Sequence, residues 1–110
     1  MPAADELARF RLDDRVAIVS GGTGGIGHRL SLAFAPTGAR VGILGRSAEA
    51  ATALVDEIAG LGSDALPVSV DVTKRAEVDR AIDAIHERFG RIDIIVNAVG
   101  GGAGTALYPA

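Results

Sequence analysis
The chain has no cysteine and no tryptophan among its 110 residues. Without cysteine there is no disulfide framework and no thiolate metal site. The two histidines, His28 and His86, stand far apart with no ligand spacing around either, so no metal site is expected. Positive charge is scarce and scattered. Eleven Lys and Arg against fourteen Asp and Glu give a net charge of −3. No basic cluster forms the footprint that nucleic acid requires. The segment Met1 to Asp14 carries Asp5, Glu6, Arg9 and Arg11 and has no apolar stretch suited to a signal peptide or a membrane span. The default expectation is a soluble cytoplasmic protein with neither nucleic acid nor membrane among its partners.

What the chain does have is glycine, fifteen of them, and short aliphatic runs. Hydrophobic residues make up 48% and charged residues 23%, an ordinary globular balance. Aromatics are only 4%, so Ala, Val, Ile and Leu carry the apolar content. That is the profile of a sheet buried on both faces.

Val16-Ala17-Ile18-Val19 is a run that stops at Ser20-Gly21-Gly22-Thr23-Gly24-Gly25-Ile26-Gly27. The order reads as strand, tight turn, helix. The helix is expected from near Gly25 to near Ala35, with Ile26, Leu30, Ala33 and Phe34 as its apolar stripe. Pro36 and Gly38 should close it. Val41 to Leu44 predicts a second strand. Ser47 is the expected N-cap of a second helix, with Glu49 in its first turn. Its stripe is Ala51, Leu54, Val55, Ile58 and Leu61, ended by Gly60 and Gly62. Leu66 to Val70, entered through Pro67, predicts a third strand. Thr73 is expected to cap a third helix with stripe Val78, Ala81, Ile82, Ile85 and Phe89, stopped by Gly90. Ile92 to Val96, interrupted by Asp93, predicts a fourth strand, and Asn97 to Ala110 reads as loop.

The resulting β-α-β-α-β-α-β order predicts an α/β fold with a parallel sheet. Right-handed crossovers place the first two helices on one face and the third on the other. The expected architecture is an incomplete doubly wound sheet of Rossmann type, strand order 3-2-1-4, with a ligand where the order reverses between strands 1 and 4. Residues 1–14 read as an N-terminal extension, 15–100 as the first part of a dinucleotide-binding domain and 101–110 as a Gly-rich tail. A chain of this size buries roughly 65% of its unfolded surface and is marginal without a partner or ligand. With only four strands, the edge of the fourth is an aggregation liability.

A phosphate needs backbone N–H groups aimed at it and no Cβ in the way. A helix N-terminus supplies the N–H groups, and glycine permits the approach. Gly21, Gly25 and Gly27, set between a strand and a helix, meet both needs. The plainer reading is that they only make a tight turn. The spacing Gly-x-x-x-Gly-x-Gly after Ser20 resembles the cofactor loop of the short-chain dehydrogenase/reductase family. Asp71-Val72 after strand 3, Asn97-Ala98-Val99-Gly100 after strand 4 and the lead-in Arg91-Ile92-Asp93 agree with it. The likeness runs from about Arg15 to Gly100. It implies that a dinucleotide meets Gly21, Thr23, Gly25, Ile26 and Gly27, that Asp71 and Val72 meet the adenine, and that Asn97, Ala98 and Gly100 complete the site.

An NAD site usually places an acid about 20 residues past the glycines, on the ribose 2′-hydroxyl. Here that stretch is Gly45-Arg46-Ser47. Arg46 has a fork suited to a 2′-phosphate, and Ser47 could add a hydroxyl. NADP(H) is therefore favoured, with NAD(H) as the alternative. Against this, Arg46 could be a solvated side chain and Ser47 merely a cap. Gly24 stands where many NADP-preferring relatives carry a second basic residue. The family's catalytic Ser and Tyr-x-x-x-Lys would fall after the Asn97 element. Tyr108 is followed only by Pro109 and Ala110, and the last lysine is Lys74, so no catalytic residue carries over. The expectation is the cofactor-binding portion of an oxidoreductase that interconverts a carbonyl and an alcohol. The alternatives are a non-catalytic nucleotide-binding module and an interaction protein that pairs through the strand 4 edge, including with its own copy.

Overall fold
The computed structural model describes residues 11–21 and 24–98. Four strands, β1 (Val16–Ser20), β2 (Arg40–Gly45), β3 (Ala65–Ser69) and β4 (Ile94–Asn97), alternate with α1 (Gly25–Phe34), α2 (Ala48–Gly60) and α3 (Arg75–Phe89). The sheet is parallel in the order β3-β2-β1-β4, as the pattern predicts. Val19 pairs with Ile43 on one side and Val96 on the other. The core divides in two. Val19, Val41, Ile43, Leu54 and Ile58 pack on the α1 and α2 face. Val16, Ile18, Leu44, Ala81, Ile85 and Phe89 pack on the α3 face. No helix among the described residues is long and apolar enough to cross a membrane.

Several local expectations change. The buried face of α1 is Gly27 and Ser31, whereas Ile26 is 72% exposed and Ala33 is also exposed. Small residues let this helix lie close to the sheet, so its buried stripe is not its most apolar one. A 3-10 turn (Ala35–Thr37) follows α1, and Gly38 closes it at φ 93. In α2 the stripe holds at Ala51, Leu54 and Ile58, but Leu61 is exposed beyond the helix end. Pro67 lies in the middle of β3 rather than at its start. Val70 N donates to Gly45 O, so alternate residues face β2 and Pro67 faces away from it. β3 is an edge strand, and the missing N–H costs no ladder bond there.

α3 packs hard on the sheet. A Cβ on Gly42 of β2 would sit 2.5 Å from Ile85 Cδ1 and 3.0 Å from its Cγ1. Asp93 is not inside a strand, because β4 begins one residue later. Its backbone N donates to Val16 O at 2.9 Å, and its Oδ2 accepts from Val16 N at 2.9 Å. Asp93 therefore engages both the N–H and the carbonyl of the first residue of β1, immediately before β4 starts. Arg91 holds the same carboxylate through contacts of 2.7 to 3.1 Å, and Arg15 approaches to 3.6 Å.

Candidate cofactor site
Because all four strands run the same way, their carboxyl ends share one edge of the sheet. Every described residue expected at the site lies on that edge: Gly21, Gly25, Ile26 and Gly27 after β1, Arg46 and Ser47 after β2, Asp71 and Val72 after β3, and Asn97 and Ala98 at the end of β4. Thr23 and Gly100 lie outside the described residues. Backbone bonds bind the edge together. Gly21 N donates to Leu44 O at 2.9 Å and Ala98 N to Ser20 O at 2.8 Å.

The glycine loop turns on Gly21, at φ 77, a left-handed conformation that favours glycine. Gly24 N donates back to Gly21 O at 3.1 Å, and His28 N to Gly24 O at 2.7 Å opens the helix. The N-cap is Gly24, so no side chain caps α1, and its first turn holds no acid. The helix therefore presents backbone donors and the positive end of its dipole at the switch point between β1 and β4. A Cβ on Gly25 would meet no atom of the described residues within 4 Å, and Gly25 does not have a positive φ. Nothing among the described residues requires glycine there. His28 turns away to α2, with Nε2 3.4 Å from Glu57 Oε1.

At the ends of β2 and β3 two charges meet. Arg46 Nη2 donates to Asp71 Oδ1 at 3.1 Å. The same oxygen accepts from Thr73 N at 3.0 Å and Thr73 Oγ1 at 2.6 Å. The Thr73 hydroxyl and N–H, with Arg46 after them, hold the Asp71 carboxyl down at about 2 from an ordinary 3.8. Thr73 does not cap α3. Lys74 occupies that position without a side-chain bond, and Glu77 Oε1 instead accepts from Asp71 N at 3.1 Å. The sequence Asp71-Val72-Thr73 makes an Asx turn, and the upstream carboxylate outcompetes the helix end for the threonine. Asp followed two residues later by Thr was the signal for this role. Ser47 does cap α2, its Oγ accepting from Ala50 N at 3.1 Å.

Beside this edge, between α3 and the sheet, lies a groove of about 410 Å³. Ser20, Leu44, Val72, Thr73, Ile82 and Asn97 line it. The volume falls in the range of small-ligand pockets, and the lining joins the Val72 and Asn97 motifs, which are distant in sequence. Ser20, Leu44 and Ile82 were not anticipated as site residues, because a strand or helix pattern reports burial and not which buried residue borders a groove.

A parallel sheet that reverses its strand order at a glycine loop and an uncapped helix defines a dinucleotide-binding α/β domain. The chain belongs to the short chain dehydrogenase family, whose model matches residues 15–108. It is 41% identical over 103 residues to a D-threitol dehydrogenase of Mycolicibacterium smegmatis, across 91% of this chain and 40% of that protein. A dehydrogenase/reductase structure from Sinorhizobium meliloti superposes with a TM-score of 0.86 at 31% identity, covering 89% of this chain and 39% of the other. A dehydrogenase from Burkholderia cenocepacia, solved with bound NADP, superposes with a TM-score of 0.74 at 30% identity, covering 80% and 35%. The chain spans about two fifths or less of the length of the curated relatives it matches. The family uses NAD(P), and this chain corresponds to its cofactor-binding region.

Proposed function
We propose that the chain is the NADP(H)-binding portion of an oxidoreductase that interconverts a carbonyl and an alcohol. Residues 15–100 are the binding unit. The pyrophosphate lies against Gly21, Thr23, Gly25, Ile26 and Gly27 at the start of α1. The adenine sits by Asp71 and Val72, with Asn97, Ala98 and Gly100 closing the β4 side. Arg46 and Ser47 meet the 2′-phosphate. Bound, the nicotinamide supplies or accepts the hydride. The chain's own residues hold and orient the cofactor.

The observation that carries the reading is the carboxyl edge itself. It sets an uncapped helix N-terminus behind a glycine that no packing among the described residues requires, and a guanidinium where an NAD site has a carboxylate. The NADP-bound relative supports the choice of cofactor. The test is titration of the chain and an Arg46→Ala variant with NADP⁺ and NAD⁺. A charge-assisted bond to phosphate contributes about 1.5–3 kcal/mol, so NADP⁺ should weaken roughly ten- to a hundredfold while NAD⁺ changes little. Equal loss for both would remove Arg46 from the site. Failure of the folded chain to bind either would remove the reading.

One observation favours a second reading. β4 pairs with β1 alone among the described strands, and Ile95 on it is 64% exposed. An interaction through this edge predicts association that depends on protein concentration and not on cofactor. A monomer across the accessible concentration range would sink it.

A further inference from the structure
We propose that Asp71 tunes the choice between NADP(H) and NAD(H) by competing with the 2′-phosphate for Arg46. This deepens the reading of Arg46 given above and rests on it. The two partners of the ion pair differ in freedom. Asp71 is held in place: Oδ1 accepts both Thr73 donors, its N–H is taken by Glu77, and its side chain is 26% exposed. The Arg46 carbonyl accepts from Ser69 Oγ at 3.2 Å, while its side chain, 72% exposed, is held by the Asp71 bond. The carboxylate stays and the guanidinium moves.

A 2′-phosphate arriving at the end of β2 therefore meets a cation already neutralised at 3.1 Å. It must draw Arg46 off Asp71 or share it with a fixed negative charge. Either route takes back part of what the guanidinium contributes. A cofactor with a free 2′-hydroxyl does neither, and leaves the pair intact. The site thus carries both an attraction for the phosphate and a built-in opponent of it, five-and-twenty positions away in sequence and adjacent in space. Its discrimination between the two cofactors is narrower than Arg46 alone would produce.

The test is the ratio of the dissociation constants of NAD⁺ and NADP⁺, measured by calorimetric titration. Both cofactors carry the adenine, so any contact of Asp71 with that ring cancels in the ratio. Asp71→Asn keeps the shape and an oxygen for Thr73 and removes the charge. Exposed ion pairs are modest, so the ratio should move toward NADP⁺ by roughly two- to fivefold. Asp71→Ala, also neutral, should move it the same way and serves if the first variant folds poorly. In an Arg46→Ala background the same substitutions should leave the ratio unchanged. An unchanged ratio in the Asp71 variants, with Arg46→Ala still selectively weakening NADP⁺, would overturn the competition and spare the assignment of Arg46. An equal gain with and without Arg46 would also overturn it, since Asp71 would then act on the phosphate directly. Equal weakening of NADP⁺ and NAD⁺ by Arg46→Ala would instead remove Arg46 from the site and this competition with it, and failure of the folded chain to bind either cofactor would bring down the cofactor reading itself.

Discussion
Asp71 and Asp93 are two carboxylates held at about 2, at opposite edges of the same parallel sheet. At the amino edge, Asp93 is gripped first by Arg91, then by the Val16 N–H and Arg15. Its partners include the ladder itself, and the ion pairs close over it to leave 20% of the side chain exposed. At the carboxyl edge, Asp71 is gripped by a turn residue and by one solvent-exposed arginine. The same depressed pKa thus marks a strand anchor in one case and the edge proposed for the cofactor in the other. A shifted pKa signals a specific environment, and only the neighbours tell whether that environment holds the fold or faces a ligand.

The contrast makes the two edges separable by mutation. The largest expected effect is at the carboxyl edge. Gly25→Ala places a Cβ clear of every described residue, so thermal stability should hold or rise slightly, alanine being the better helix residue. The same methyl would stand where the pyrophosphate approaches, with a steric cost of about 1–3 kcal/mol, roughly ten- to a hundredfold in the dissociation constant. Calorimetric titration and a melting curve on one sample check both halves. A variant that melts early and binds normally would erase the distinction between the edges. Asp93→Ala should do the reverse. It strips the partner from Val16 N and leaves Arg91 and Arg15 facing each other, so the melting temperature should fall by several degrees. Cofactor affinity of the folded fraction should stay within about twofold, as expected for a site at the far edge of the sheet.

Much of this was legible in the sequence. Apolar runs alternating with helical stripes gave the β-α-β-α-β-α-β order, because a strand buried on both faces leaves a continuous apolar run and a helix leaves a stripe with a period of about 3.6 residues. Right-handed crossovers in a doubly wound sheet then gave the order 3-2-1-4 and the sidedness of the helices. The glycine loop, Ser47 and the Gly90 stop were equally plain, since each needs a particular residue for a stereochemical reason. What could not be read depended on pairing across the chain. Asp93 looked like a flaw in a strand until Val16, 77 positions earlier, was seen to use it. Thr73 looked like a cap because the claim of Asp71 on it is a matter of geometry. The α1 stripe was misplaced because close approach selects small residues, whereas periodicity counts large apolar ones. The pair of Arg46 and Asp71 links two motifs that were assigned separately.

The smallest effect is in acid, and it sharpens the comparison furthest. Both carboxyls sit near 2 when folded and near 3.8 in their ordinary state. Between those values the unfolded chain binds more protons than the folded one, so stability rises with pH. The contribution of each is fully present above about pH 4, on the ordinary-value side, and fades as pH falls toward about 2. Asp71→Asn and Asp93→Asn should each flatten the pH dependence of unfolding in that window by up to one proton. Salt separates them. The share that Arg46 gives Asp71 is an exposed ion pair and is screened at about 1 M, where the Debye length is roughly 3 Å. The Val16 bond to Asp93 is a backbone hydrogen bond, and the Thr73 bonds to Asp71 are likewise short-ranged. Urea unfolding across pH 2 to 5, at low and high salt, should therefore show a modest salt-sensitive part at Asp71 over a larger salt-resistant part at both. If the Asp71 share vanishes entirely in salt, Thr73 does not hold the carboxylate, and the fixed partner on which the competition for Arg46 depends is absent.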